Sequence, residues 1–413
     1  MTAESPAAWA TGPVDSLLTQ LAGRVALSAA SRIRVGVLTV RLPDGSTRVF
    51  GDGGSELRGE MHIHDFEALK RLLLGGEVGG GEAYMDGLWS SPDLVGLISM
   101  AVANRQSLAL SKGWWRVPAR MARTVTHRRN RNTKAGSRRN ITAHYDLGND
   151  FYRLWLDETM TYSSALFESP EQSLADAQRA KYRAIADRAG VEPGMHVLEI
   201  GTGWGGMALY LAGELGTDVT TVTISQAQHD LARERIEEAG LDDRVTVELR
   251  DYRDIRGQYD AVVSIEMLEA VGAEYYHDYF EAVSRALKPG RSAGIQVITF
   301  PHDAYEAQLR GPNWIQRYIF PGGVLPSLTA IESSLEGTGL LVTGVGDIRD
   351  SYARTLRTWR ESFFAHEPEV RALGFDDRFI RMWDYYLSIS EAGFRTGMTQ
   401  DLQISLAKSR GRP

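Results

Sequence analysis

The run Val197-Leu198-Glu199-Ile200-Gly201-Thr202-Gly203-Trp204-Gly205-Gly206 reads as a short apolar strand that ends in a glycine-rich turn and opens a helix. Glycine lets the backbone turn tightly and approach a ligand closely, and the first turn of a helix offers free N–H groups. In open parallel sheets this strand end is where ligands bind. The turn is weak evidence alone, since many α/β turns are glycine-rich. An NAD site calls for an acid about 20 residues on, at the end of the second strand. That strand runs instead into Thr221-Val222-Thr223-Ile224-Ser225, with no acid. Asp251-Tyr252 follows the third strand, where an adenine amine can be held, and Glu199 precedes the turn. This layout fits S-adenosylmethionine (SAM) better than NAD. A purely structural glycine turn is the plain alternative.

The elements that must position these residues alternate. Helices are expected over 175–189, 206–215, 226–239 and 275–287. Strands are expected over 195–200, 218–223, 245–250, 259–265 and 293–298. Such alternation means a mostly parallel sheet with helices on both faces, an α/β Rossmann-like domain. The tail, 328–393, reads as helix-rich with several aromatics. Upstream, 14–110 reads as a smaller α+β domain. A strand over 32–40, a Pro43-Asp44-Gly45 turn and a return strand over 47–50 make a hairpin. Helices follow over 66–74 and 94–102, with 75–81 a glycine-rich connection. The expected organisation is therefore an N-terminal lipid-interaction domain over 14–110, a basic linker or membrane-contact segment over 111–140 and a SAM-dependent catalytic domain over 141–413.

Between residues 112 and 139 there are ten Lys and Arg and no acid, with Trp114, Trp115, Val117, Met121 and Val125 among them. A solvated linker is one reading. A segment that sits on anionic lipid headgroups is the other. Nucleic acid is disfavoured, because the net charge of the whole chain is -7. The chain has no cysteine, which excludes disulfides, thiolate nucleophiles and Cys-ligated metal sites. A lone His302 without a second ligand in sequence does not make a metal site, and none is expected. No run of 18 or more apolar residues occurs, so contact with lipid is expected to be peripheral, from a cytoplasmic location at the inner face of the membrane.

Several blocks in fixed order resemble the cyclopropane-fatty-acyl-phospholipid synthase family of SAM methyltransferases, which includes the actinobacterial fatty-acid methyltransferases. The blocks are His144–Asp150, Thr161–Ala165, the glycine turn, Thr223–Ser225, Asp251–Asp254, Glu266–Gly272, Tyr318–Gly323, Tyr352–Leu356 and Glu391–Phe394. The resemblance runs from about residue 138 to the C-terminus. It implies that Tyr162 and Ser163 close over SAM and that Gly201 and Gly203 line its amino-acid part. Thr223 and Gln228 are implied to reach the ribose, and Asp251 with Tyr252 the adenine. It also implies a bicarbonate ion beside the SAM methyl, acting as base, in a cage of Ser164, Glu269, Gln296, Ile298 and Tyr352. Ser164 and Gln296 stand where many members have Cys and His, and Ala270 stands where many have His. A homodimer and unsaturated phospholipid acyl chains are the implied partners.

The implied chemistry suits these groups. An alkene is a poor nucleophile and a sulfonium methyl a strong electrophile, so a dry pocket that aligns them supplies much of the rate. Methyl transfer leaves a carbocation, which aromatic faces and a nearby anion stabilise. Loss of one proton then gives a cyclopropane or a 10-methylene chain. Plainer accounts remain for each element: Glu269 as a helix-face carboxylate, Tyr352 as a core tyrosine, His144 and Tyr145 as helix caps. Trp314, Tyr318, Phe320, Phe363, Phe364, Trp383, Tyr385, Tyr386 and Phe394 read as core, with some of them expected along an acyl tunnel. A methyltransferase of a soluble small molecule and a non-catalytic lipid-binding protein are the rival readings.

Overall fold

A computed structural model of the chain describes residues 13–51, 53–108 and 147–410. The basic stretch 112–139, His144 and Tyr145 lie outside them. The described residues form two compact units.

The first unit holds residues up to 108 together with Asp377–Tyr385. Its sheet contains β1 (Val37–Arg41), β2 (Thr47–Phe50), β3 (Arg58–Ile63) and β4 (Trp89–Ser90), in the order β2-β1-β3-β4. The first strand starts five residues later than its alternating pattern suggests. The backbone amides of Arg34 and Val35 donate to the side chain of Asn104 at 2.8 and 3.0 Å, so a buried amide replaces the ladder there. The span Glu67–Met85 is two helices joined at Gly76, whose backbone is not helical (φ 60°, ψ -140°). Of the glycine-rich stretch 75–81 expected as a connection, only the break at Gly76 is non-helical, and 77–81 belong to the second of the two helices that meet there. Glycines are needed here for close packing: a Cβ at Gly79 would meet the backbone of Arg71, and Gly80 O accepts the indole N–H of Trp89 at 2.9 Å. The segment Asp377–Tyr385 is held through Asp384, which accepts from Tyr84 Oη at 2.5 Å, and through Arg378, 2.9 Å from Asp86.

The second unit is built on a seven-stranded sheet. Its strands are β5 (His196–Ile200), β6 (Asp218–Thr223), β7 (Val245–Leu249), β8 (Tyr259–Ile265), β9 (Leu287–Thr299), β10 (Leu340–Asp347) and β11 (Gln400–Lys408), in the order β10-β11-β9-β8-β5-β6-β7. β6-β5-β8-β9 and β7 pair in parallel, as the alternation predicts. β11 and β10 are antiparallel additions. They fall in and beyond the tail that reads as helix-rich, because β10 alternates half-buried with exposed residues and sits at the edge of the sheet. The chain passes from β5 outward to β7 and then restarts on the other side of β5 at β8. The β5/β8 boundary is therefore the switch point where a ligand crevice opens at the carboxyl ends of the strands.

The helix Leu174–Ala189 covers one face. Ser173 caps it by accepting from Asp176 N at 3.1 Å, and Gly190 ends it in a left-handed conformation (φ 64°). It lies so close to β9 that a Cβ on Gly294 would run into Ile185 O and reach within 3.2 Å of Ala189 N. Gly294→Ala is expected to lower stability by about 1–3 kcal/mol through overpacking. Gly75→Ala, where an added Cβ meets nothing within 4 Å, should be neutral or stabilising, since alanine is the better helix former by about 1 kcal/mol. Urea midpoints of the two variants check this; equal losses would show that the helix–strand approach is not the constraint.

Candidate active site

Three glycines of the turn after β5 adopt left-handed backbone: Gly201 (φ 101°), Gly203 (φ 51°) and Gly205 (φ 89°). A side chain at Gly201 would also press on Met267, whose Cγ lies 3.0 Å from the position of such a Cβ. The glycines are thus demanded by conformation. They sit at the carboxyl end of β5, beside the switch point. Thr223 ends β6; its hydroxyl bonds Gln228 Oε1 at 2.9 Å, and both side chains are buried. Asp251 follows β7. Its carboxylate is held by Arg253, with Nε at 2.8 Å and the terminal nitrogen at 2.7 Å, while the guanidinium lies 5.3 Å from the Tyr252 ring centroid. The residues expected at ribose and adenine therefore line up along the carboxyl ends of successive strands, each already fixed by a neighbour.

The segment 162–165 crosses the same edge. Gln178 donates to Ser163 O at 3.0 Å and Lys181 Nζ to Ser163 Oγ at 2.7 Å, both from the helix Leu174–Ala189. Ala165 N donates to Thr355 Oγ1 at 3.1 Å. Tyr162 bonds Tyr386 hydroxyl to hydroxyl at 2.8 Å. Its ring centroid lies 5.4 Å from those of Tyr152, Trp155 and Trp359. Tyr352 stacks on Phe394 at 4.3 Å. An aromatic cluster thus stands next to the glycine turn, where Tyr152 meets Trp204 at 4.8 Å. Of the aromatics singled out in sequence, Trp383 and Tyr385 lie in the first unit, and Phe364 is 37% exposed.

The five residues expected to cage an anion divide between two carboxylates. Three converge on Glu266. Ser164 N donates to its Oε1 at 2.8 Å, Gln296 Nε2 to the same oxygen at 2.9 Å, and Tyr352 Oη to Oε2 at 2.7 Å. The fourth donor, Ile298 N, goes to Glu269 Oε1 at 2.5 Å. Strand geometry explains the grouping. Gln296 and Ile298 are two apart on β9 and share a face, and β11 brings Gln403 opposite Gln296 and Asp401 opposite Ile298. Gln296 is wholly buried; besides Glu266 it donates to Asp401 Oδ2 at 2.9 Å and accepts from Gln403 at 3.1 Å. The donors expected for a free bicarbonate are thus already taken by side-chain carboxylates, and the residues present do not fit that ion as a resident group.

Glu266, Asp401, Gln403 and Lys181 belong to this site without having been singled out by sequence. Glu266 opens the block Glu266–Gly272, three residues before Glu269, and has left-handed backbone (φ 49°), which among the described non-glycine residues only Met160 shares. Such a conformation costs about 1–3 kcal/mol and persists where the surroundings over-determine it. No sequence signal announces it. Lys181 is fully buried on an alanine-rich helix face, an arrangement rare without a partner and hence a signal that was available.

Burial governs the ionisation of these groups. Desolvation lowers the Lys181 ammonium to about 8, with Glu266 and Asp401 opposing it. Desolvation raises Glu269 to about 8, helped by the neighbouring Glu266 charge. It raises Glu266 as well, against Lys181 and the donated hydrogen bonds, and Asp401 further still. Asp401 Oδ1 and Glu269 Oε2 are buried without a hydrogen-bond partner. Glu266, with three donors and a buried cation, is the carboxylate best able to hold the negative charge; Asp401 and Glu269 are the ones kept protonated. Among the described residues no cluster suited to a metal ion occurs, and no helix is long and apolar enough to cross a membrane.

Comparison with known proteins identifies the family. Residues 132–404 match the family described as mycolic acid cyclopropane synthetase. The chain belongs to this family. It is 40% identical to tuberculostearic acid methyltransferase UfaA1 of Mycobacterium tuberculosis, over 96% of this chain and 93% of that protein. It is 36% identical to the cyclopropane-fatty-acyl-phospholipid synthase of Escherichia coli, over 85% of this chain and 88% of that one. In structure it matches the mycolic acid cyclopropane synthase CmaA1 complexed with SAH and CTAB (TM-score 0.61, 30% identity), over 66% of this chain and 98% of that one. The fold expected from sequence is therefore the one found, and the chain is a methyltransferase of the SAM-dependent class.

Glu199, on β5 just before the turn, is 4% exposed, and desolvation raises its carboxyl to about 8. The folded state then keeps a proton that the unfolded chain releases near 4.5. Its contribution is complete below that value and is lost as pH rises toward 8, with a slope of up to ~1.4 kcal/mol per pH unit. In Glu199→Gln this part of the pH dependence should vanish. Urea unfolding of both proteins across that window measures it, and parallel curves would refute the burial effect.

Proposed function

We propose that the protein transfers the methyl of SAM to the double bond of an unsaturated acyl chain in membrane phospholipid, giving a cyclopropane or a 10-methylene chain. The observation that carries this reading is the juxtaposition of the left-handed glycine turn after β5 with a seat of clustered carboxylates and a cluster of aromatic side chains. The first suits a nucleotide-linked methyl donor. The second suits a reaction that makes a carbocation, spreads its charge over aromatic faces and must shed one proton in a dry site. A methyltransferase of a small polar molecule has less need of such a cluster. The names and coverage of the two curated relatives support a lipid acyl substrate.

In this reading Tyr162 and Ser163, positioned by Tyr386, Gln178 and Lys181, close over SAM. Gly201 and Gly203 admit its amino-acid part, Thr223 and Gln228 meet the ribose, and Asp251 with Tyr252 the adenine. Arg253 then serves Asp251 as a positioning residue. The protein works peripherally at the membrane, with the ten cationic residues of 112–139 on anionic headgroups. The family resemblance supplies a homodimer as the working form.

Mass spectrometry of lipids from a host fed oleate and expressing the chain tests the assignment. Oleoyl chains should gain the mass of one CH2, and fragmentation should distinguish a ring from a methylene branch. Gly201→Val should reduce the product at least ~100-fold, equivalent to about 2.7 kcal/mol, with SAM affinity lost in parallel. A purified protein that binds SAM yet leaves lipids unchanged, in cells and on vesicles, would overturn the lipid reading in favour of a soluble substrate.

A further inference from the structure

The geometry points to Glu266 as a built-in anion that fills the seat expected for a free bicarbonate and itself takes the proton from the alkylated acyl chain. This rests on the one-carbon transfer proposed above. A carboxylate presents two oxygens in a plane, as a bicarbonate does, and Ser164 N, Gln296 Nε2 and Tyr352 Oη all end on those oxygens at 2.7–2.9 Å. The backbone of Glu266 accepts a left-handed conformation to deliver it. Its amide donates to Gln296 O at 2.8 Å, so the residue is tied to β9 by main chain and side chain alike. Gln296 cannot titrate, and its other N–H is committed to Asp401. Tyr352 Oη is committed to Glu266. These donors hold an anion but offer no base of their own, which leaves the carboxylate they hold as the acceptor.

The step balances without any further reactant. The S–CH3 bond breaks with its electron pair left on sulfur, while the alkene π pair forms the new C–CH3 bond and leaves a cation on the adjacent carbon. Glu266 removes one proton. The C–H pair so released closes the ring bond, or forms the methylene double bond after a hydride shift. The protonated carboxyl returns its proton to solvent once the product leaves.

The test uses the full chain, SAM and unsaturated phospholipid vesicles in buffer stripped of carbon dioxide, with and without added bicarbonate. The wild type should turn over equally in both, within about twofold. Glu266→Ala should lose at least ~100-fold and regain part of that loss on adding bicarbonate or formate. Glu266→Gln, which still fills the seat, should lose as much and regain nothing. Carbon-13 bicarbonate NMR gives a readout apart from turnover: saturable binding to Glu266→Ala and none to the wild type, with SAM affinity kept in all three. Saturable binding of bicarbonate to the wild type, or turnover that collapses without it, would overturn the proposal. If no protein transfers a methyl group, the functional reading has failed, and the NMR comparison still decides who occupies the seat. If Glu266→Ala does not fold, the wild-type measurements and Glu266→Gln decide it.

Discussion

The active-site half of this molecule is organised by one half-buried negative charge and its company. Glu266 accepts hydrogen bonds from a loop amide, a strand amide side chain and a helix tyrosine. Each donor comes from a different part of the second unit, and each is fixed by its own neighbours: Ser164 within a segment pinned by Gln178, Lys181 and Thr355, Gln296 between β8 and β11, Tyr352 on the helix Arg349–Ala365 against Phe394. Leaving a carboxylate unpaired in such a place would cost several kcal/mol. The seat is therefore a constraint that these elements must satisfy jointly, and Lys181, bonded to Ser163 Oγ, supplies the compensating charge.

The electrostatic consequence is a division of labour among acids. Three carboxyls crowd one region with a single buried ammonium, so they cannot all ionise at little cost. Hydrogen bonding selects among them. Glu266 has the donors; Glu269 has one, and Asp401 receives one from Gln296, each with a buried oxygen left over. An anion beside aromatic faces is what a carbocation intermediate requires. A protonated acid next to it adds no competing charge.

The sheet serves the site through its edge. Carboxyl ends of β5 to β9 deliver the glycine turn, Thr223, Asp251, Glu266 and the Gln296/Ile298 pair in one line. The added strand β11 closes the row and contributes Asp401 and Gln403 by register alone. An antiparallel extension next to β9 is thus part of the site and not merely of the core.

What the sequence determined by itself is local. Apolar runs with period 2 or 3.6 and glycine punctuation set the alternating elements of β5 to β9, and the left-handed turn after β5 follows from residues that only glycine fits. Ser164, Gln296, Ile298, Tyr352 and Glu269 were legible as a group through a family pattern. The tertiary structure decided which of them share a partner. Glu266 and Asp401 lie 135 positions apart, and only strand pairing brings both to Gln296. The strained backbone that aims Glu266 depends on those contacts and leaves no trace in composition or spacing. The glycines of 75–81 make the same point: as residue types they suggest a connection throughout, while the structure breaks the helix only at Gly76 and packs Gly79 and Gly80 against Arg71 and Trp89. Periodicity reports which face is buried, while the partner met on that face is a long-range fact.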